Sequence, residues 1–197
     1  MHEDLNSLLS ARRGHFLLES GYHADMWLDL DTLFAHPARL RPIAQALALR
    51  LAQHDLDAVC GPAIGGAFVA QMIALELDLE FFYAERIPST TPGAMFSTRY
   101  RVPNGTRGWL GGKRIAIVDD VINAGSAIRA THADLIGCGA YPVALGALLV
   151  LGYAAPTFAA AAKMELESIA QLPSHIWEPA ECPLCVAKVA LESPDAT

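Results

Sequence analysis

Two adjacent carboxylates, Asp119 and Asp120, followed at once by the small-residue run Asn123-Ala124-Gly125-Ser126-Ala127, are the residues whose types and spacing most directly suggest chemistry. The apolar run Ile115-Ala116-Ile117-Val118 before them reads as a buried strand, and residues 126–136 after them read as a helix. The acidic pair and the bend then fall at the C-terminal end of a strand, where open α/β sheets bind ligands. Small side chains let the backbone N–H groups of 124–127 point at a phosphate, helped by the positive end of the following helix. Asp119 and Asp120 repel a phosphate and suit ribose hydroxyls or a bound Mg²⁺ instead. A second run, Cys60-Gly61-Pro62-Ala63-Ile64-Gly65-Gly66, suits pyrophosphate, because glycines permit close backbone approach and exposed N–H groups. Each feature also has a plainer reading: Asp-Asp as the end of a strand, Ala-Gly-Ser as a helix cap, and Gly65-Gly66 as room for a helix to pack on a sheet.

Cations for such a ligand have to come from elsewhere in the chain. The stretch 85–112 carries Pro88, Pro92, Gly93, Pro103, Gly105, Gly108, Gly111 and Gly112. It is too long and too punctuated for an ordinary connection, which predicts a mobile functional loop over about 86–112 with a short hairpin inside it. Arg86 stands at its base and reads as functional; Arg99, Arg101 and Arg107, taken singly, read as solubilising charge. Cys182-Pro183-Leu184-Cys185 has zinc-ligand spacing, yet a tetrahedral structural site takes four ligands and no second pair follows. The two cysteines are therefore read as reduced and unmetallated, packing the tail. Two chains pooling their pairs, or His175 assisting, are the metal-binding alternatives, and a redox or metal module centred on Cys182 and Cys185 is the corresponding functional one. His23 reads as an ordinary surface or turn histidine at least as well as a ligand-facing one.

The scaffold follows from periodicity. Helical spacing marks 2–12, 37–54, 66–77 and 126–136, with Pro37 well placed in a first helical turn. Short apolar runs mark strands at 15–18, 26–30, 58–60, 79–83, 115–118, 143–151 and around 165–170. This alternation predicts an α/β fold with a mainly parallel sheet covered by helices on both faces. A length of 197 residues fits one domain, 1–197. The hydrophobic fraction of 53% contains no run of membrane-spanning length and no signal-like start, so the expectation is a soluble, cytoplasmic protein without a membrane partner. A net charge of −7 argues against a nucleic-acid surface.

Residues 114–129 as a whole, Arg-Ile-Ala-Ile-Val-Asp-Asp-Val-Ile-Asn-Ala-Gly-Ser-Ala-Ile-Arg, resemble the phosphoribosyl pyrophosphate motif of type I phosphoribosyltransferases, especially the version in orotate phosphoribosyltransferases. Other segments follow suit in order. Residues 15–27 resemble the family's base-contacting N-terminal segment, 60–66 its pyrophosphate loop, 83–86 the strand end before its catalytic loop, and 179–185 the ending of some bacterial members. The resemblance implies a parallel sheet of about five strands and a small hood built from about 1–36 and 153–197. It implies transfer of a 5-phosphoribosyl group from phosphoribosyl pyrophosphate to a nucleobase, orotate-type, with release of pyrophosphate. Mg²⁺ would enter with the ligand, with Asp119 and Asp120 as the carboxylates near it. Asn123, Ala124, Gly125, Ser126 and Ala127 would hold the 5-phosphate, and Asp119 and Asp120 the ribose hydroxyls. Pro62, Ala63, Ile64, Gly65 and Gly66, together with Arg86, would take pyrophosphate, and Ser20, Gly21 and Tyr22 would meet the base. A non-proline cis peptide at Ala63–Ile64 and a homodimer are implied as well.

Three departures from that pattern concern the base and the chemistry. The lysine usual after the N-terminal aromatic strand is absent from Trp27-Leu28-Asp29-Leu30-Asp31, and 86–112 contains no lysine. The arginine expected to pair with the orotate carboxylate is replaced by Leu149-Val150-Leu151-Gly152-Tyr153. A transferase for another base, or a non-catalytic or regulatory binder on the same scaffold, is the alternative these departures motivate.

Overall fold

An antiparallel hairpin of β1 (Ser10–Leu17) and β2 (His23–Asp29) opens the computed structural model, which describes residues 10–18, 21–29, 31–87 and 99–193. A helical turn (Asp31–Phe34) leads into α1 (Pro37–Leu51), with the proline in the first turn as expected. The apolar stripe Leu40, Ile43, Leu47 and Leu51 is buried and turns α1 onto a central sheet.

That sheet alternates with helices along the chain. β3 (Ala58–Pro62) leads to α2 (Gly65–Leu77) and β4 (Glu80–Ile87); β5 (Arg99–Arg101) precedes β6 (Arg114–Ile122), α3 (Ser126–Gly137), β7 (Tyr141–Leu151), α4 (Ala154–Ala162) and β8 (Glu165–Leu172). The spatial order is β5-β4-β3-β6-β7-β8, with β4, β3, β6, β7 and β8 parallel and β5 antiparallel to β4 at the edge. The parallel part thus has the five strands expected, and β5 adds a sixth. β3 and β6 are apolar on both faces because helices cover both: Leu47, Val69 and Ile73 pack with Val59 and Val118 on one side, and Ile128, Leu135 and Ala155 pack with Ile115 and Ile117 on the other.

Strand order reverses direction between β3 and β6, since the chain runs from β3 outward to β4 and then returns to place β6 on the opposite side. Their C-terminal ends therefore splay apart at the switch point, where an α/β sheet opens a crevice. A short strand β9 (Ile176–Trp177) pairs with β2 to make a separate three-stranded hood, tied to the tail by the bridge Phe16↔Glu192. Among the described residues no helix is long and apolar enough to cross a membrane.

Three local expectations change. The helical spacing over 2–12 does not persist at its end, because residues 10–12 belong to β1, where strand pairing with β2 overrides local periodicity; residues 1–9 lie outside the described ones. The acidic pair lies within β6 rather than after it, because Val121 and Ile122 still pair with Leu149 and Val150 of β7. The stretch 86–112 is no single loop: β5 pairs with β4 as a short hairpin, Val102 and Leu110 are buried, and Asp134 of α3 accepts bonds from the Val102 N–H (2.8 Å) and Arg107 (2.7 Å). Residues 88–98 lie outside the described ones.

Candidate active site

Close approach of two loops defines the crevice between β3 and β6. Gly66, where α2 begins, lies so near β6 that an added Cβ would stand 2.6 Å from Asp119 Oδ1 and 2.9 Å from the Val118 carbonyl. A Cβ at Gly65 would overlap the Asp120 carboxylate, and one at Gly61 would overlap the Gly66 backbone. Backbone atoms leave no room for a side chain at Gly61 or Gly66, and one at Gly65 would displace the Asp120 carboxylate, so the plain reading of Gly65-Gly66, as room for packing, holds. The packing partner is the acidic pair itself. The Ala63–Ile64 peptide is cis, as expected, and the Ala63 N–H is bonded to the Ala84 carbonyl of β4 at 2.8 Å.

Both carboxylates are drawn out of water. Asp119 is 8% exposed and its Oδ1 accepts the Asp120 N–H at 3.1 Å; Asp120 Oδ1 accepts the Val121 N–H at 2.8 Å. Burial raises the Asp120 pKa above the ordinary carboxylate value, against the lowering effect of hydrogen bonds from Asp119 and the local backbone. A desolvated carboxyl beside a glycine-lined loop is matched to a partner that brings donors or positive charge, such as sugar hydroxyls or a hard divalent cation.

The bend after β6 opens directly onto a helix start. Gly125 caps α3 with φ 77°, a left-handed conformation that glycine adopts without penalty, and no side chain caps the helix. The first-turn N–H groups of α3 therefore stand without a side-chain partner at the helix's positive end. Ala124 and Ser126 line a cleft of about 530 Å³ whose other walls include Tyr22 and Ile176 of the hood and Arg129 of α3. The Arg129 guanidinium lies 4.6 Å from the centre of the Phe158 ring, which holds this cation at the cleft wall.

The expected site residues thus separate into groups. Of residues 62–66, Gly65 meets Asp120 and Gly66 meets Asp119 and Pro62, while Ile64 is exposed; 124 and 126 share their cleft with Tyr22. Asn123 sits in the bend with its Oδ1 buried. Gly21 turns the hairpin with φ 83°, and Ser20 lies outside the described residues. Arg86 is exposed near the end of β4, two residues past the Ala84 that holds the cis-peptide loop, and opposite Tyr100 of β5. Arg107 does not belong with the solvated loop charges, because it is half-buried in its pair with Asp134. Arg129 was not singled out by sequence; its place in the first turn after the phosphate-type bend was the available signal. His175 bonds to Asp25 at 3.1 Å and stacks on Trp177, away from the cysteines, which lie instead against His15 and His23.

Residues 29–184 match the family model described as "Phosphoribosyl transferase domain". An orotate phosphoribosyltransferase of Thermotoga maritima is 27% identical over 183 residues, covering 92% of this chain and 89% of the relative. The crystal structure of orotate phosphoribosyltransferase from Aeropyrum pernix superposes with a TM-score of 0.61 at 26% identity, over 85% of this chain and 90% of that one. An adenine phosphoribosyltransferase structure from Thermoanaerobacter pseudethanolicus reaches a TM-score of 0.68 at 16% identity over 87% and 100%, a likeness of fold alone.

Proposed function

The chain belongs to the phosphoribosyl transferase family, and we propose that within it the protein transfers the 5-phosphoribosyl group of phosphoribosyl pyrophosphate to an orotate-type base. The observation that carries this reading is the contact between the Gly61–Gly66 turn and the desolvated Asp119–Asp120 pair, one strand away from an uncapped helix N-terminus. A ligand with a phosphate at one end, hydroxyls in its middle and a pyrophosphate on the far side has the matching order of groups.

In the mechanism, the N–H groups of 124–127 and Asn123 anchor the 5-phosphate. Asp119 and Asp120 accept hydrogen bonds from the ribose hydroxyls, and their negative charge favours the positive charge that develops on the sugar as the C1–oxygen bond breaks. Residues 62–66 receive the departing pyrophosphate through backbone donors, with Arg86 as the nearby cation. Asp119 and Asp120 would supply the hard oxygen donors suited to Mg²⁺, which would contribute charge neutralisation at the leaving group. A ring nitrogen of the base attacks C1 with inversion. Rate enhancement arises mainly from positioning and charge stabilisation, since no group of the protein need form a covalent bond. Arg129, on the cleft wall with Tyr22, offers a charge-assisted contact to an anionic ligand that Gly152 and Tyr153 cannot. A homodimer is part of this reading; the exposed Leu49 and Leu75 on α1 and α2 are apolar surface suited to an interface, and light scattering tests it.

Joint substitution Asp119→Asn and Asp120→Asn is expected to abolish the thermal stabilisation that phosphoribosyl pyrophosphate gives the wild type. Unchanged stabilisation would overturn the site. Pyrophosphate release assayed across orotate, uracil, adenine, guanine and hypoxanthine is expected with orotate first. Tight binding with no release from any base would favour the binder without turnover.

A further inference from the structure

His15, His23, Cys182 and Cys185 bring four ligand atoms within 4.8 Å of one another in the hood, away from the cleft residues described above. Three of these residues are buried, His15 at 1%, His23 at 6% and Cys182 at 1% exposure, while Cys185 closes the cluster at the surface. Sequence spacing shows the cysteines as a pair without a second pair; the missing two donors lie about 160–170 residues earlier on the first hairpin.

Three of the separations are close to those of a tetrahedral centre. Zn–N bonds of about 2.0–2.1 Å and Zn–S bonds of about 2.3 Å place nitrogen and sulfur about 3.5 Å apart, and two nitrogens about 3.3 Å apart. Here Cys182 Sγ and Cys185 Sγ lie 3.4 and 3.7 Å from His15 Nε2, and Cys185 Sγ lies 3.3 Å from His23 Nδ1. The two ring nitrogens are closer, at 2.9 Å.

The surroundings prepare the donors. His15 Nδ1 is 2.9 Å from the Val189 carbonyl, which can only accept, so Nδ1 carries the proton and Nε2 of the neutral ring presents its lone pair to the cluster. Three polar neighbours, His23 Nδ1, Cys182 Sγ and Cys185 Sγ, crowd around that one lone pair. The backbone is arranged to the same end. A bulge between Arg13 and Phe16 inserts one extra residue into β1, re-aiming His15 so that its ring meets His23 edge-on at 4.8 Å between centroids. Cys182 stands immediately before the helical turn Pro183–Val186, and Cys185 falls within that turn, so Cys-Pro-Leu-Cys curls both sulfurs to one side. Two thiolates balance a dication, leaving a neutral centre in a mostly buried place.

We propose that these four residues bind one Zn²⁺ as a closed structural site that clasps the C-terminal tail to the N-terminal hairpin. Four protein ligands leave no position for substrate, which sets this site apart from catalytic zinc. Its consequence for the cleft is indirect: Tyr22, on the cleft wall, directly precedes the ligand His23 in the chain.

Elemental analysis of the full chain, purified without a metal-affinity tag or chelator and under reducing conditions, is expected to give about one zinc per chain. Replacement of that zinc by Co²⁺ should give the intense visible bands of a tetrahedral thiolate centre, a readout that needs no variant. Cys185→Ser and His23→Ala should lose both the stoichiometric zinc and the Co²⁺ spectrum, and removing zinc with a strong chelator should lower the melting temperature of the wild type. Metal-free protein that gives no Co²⁺ spectrum overturns the proposal, as does zinc retained at full stoichiometry in both variants. These readouts do not depend on transferase activity and stand or fall apart from it.

Discussion

A carboxylate that is costly to bury leaves a measurable mark on the protein alone. For Asp120 the sign follows from the raised pKa: between the ordinary value of 3.8 and its elevated folded value, the folded state holds more protons than the unfolded one, so stability falls as pH rises through that interval. The penalty is complete once the pH has passed that elevated value. Asp120→Asn is therefore expected to leave the ligand-free protein equally stable or more stable at pH 7, and to flatten the decline in melting temperature from pH 4 upward, while weakening phosphoribosyl pyrophosphate binding. Melting curves across pH with and without ligand check both halves, and a variant clearly less stable at pH 7 in the absence of ligand would contradict the assignment. At this scale the sequence was informative where function depends on consecutive residues: 119–127 and 60–66 are contiguous, and their chemistry is visible in order. His15 and His23 acquire meaning only through neighbours far along the chain, and no local pattern reveals such proximity.

Among elements, the link between α3 and the segment after β5 carries more than its length suggests. Asp134 accepts both the Val102 N–H and the Arg107 guanidinium, and Val102 beside them is fully buried. This pair raises the Arg107 pKa and fixes 102–107 against the helix that begins at the phosphate-type bend. Asp134→Ala is expected to destabilise the fold by about 1–3 kcal/mol, because a backbone donor and a half-buried cation lose their partner together. Denaturant unfolding measures it, and a change below about 0.5 kcal/mol, the usual effect of a surface substitution, would show the contact to be incidental. Strands and helices of the sheet were legible because their periodicities are clean and the alternation is regular. β5 and the ordering of 99–112 were harder to see, since Pro and Gly signal a break in regular structure without saying whether tertiary partners fix the irregular chain.

For the molecule as a whole, the hood is attached through a few polar contacts as well as through its strands. Asp25 of β2 accepts bonds from the Ser174 hydroxyl, the His175 N–H and the His175 ring, with Arg13 alongside. Burial pushes its pKa up, but these bonds and the neighbouring charge outweigh burial and hold it below the ordinary value of 3.8. A lowered carboxylate contributes stability above the unfolded value and loses it as pH falls through the folded one. Asp25→Asn should cost about 1–3 kcal/mol at pH 7, and the difference from wild type should shrink once the pH drops below 3.8. Fluorescence of Trp27 and Trp177, both in the hood, follows the transition, and a pH-independent difference would assign the cost to something other than the charge. The bridge at Glu192 has a further effect on the order of events during synthesis. The Leu17 N–H meets the carbonyl of Glu192, and the Glu192 N–H meets the carbonyl of His15, so the edge of the first strand away from β2 is completed by nearly the last described residue. The sheet ends with Leu172 and needs nothing later to assemble, whereas the hood over the cleft is completed only by residues 176–192.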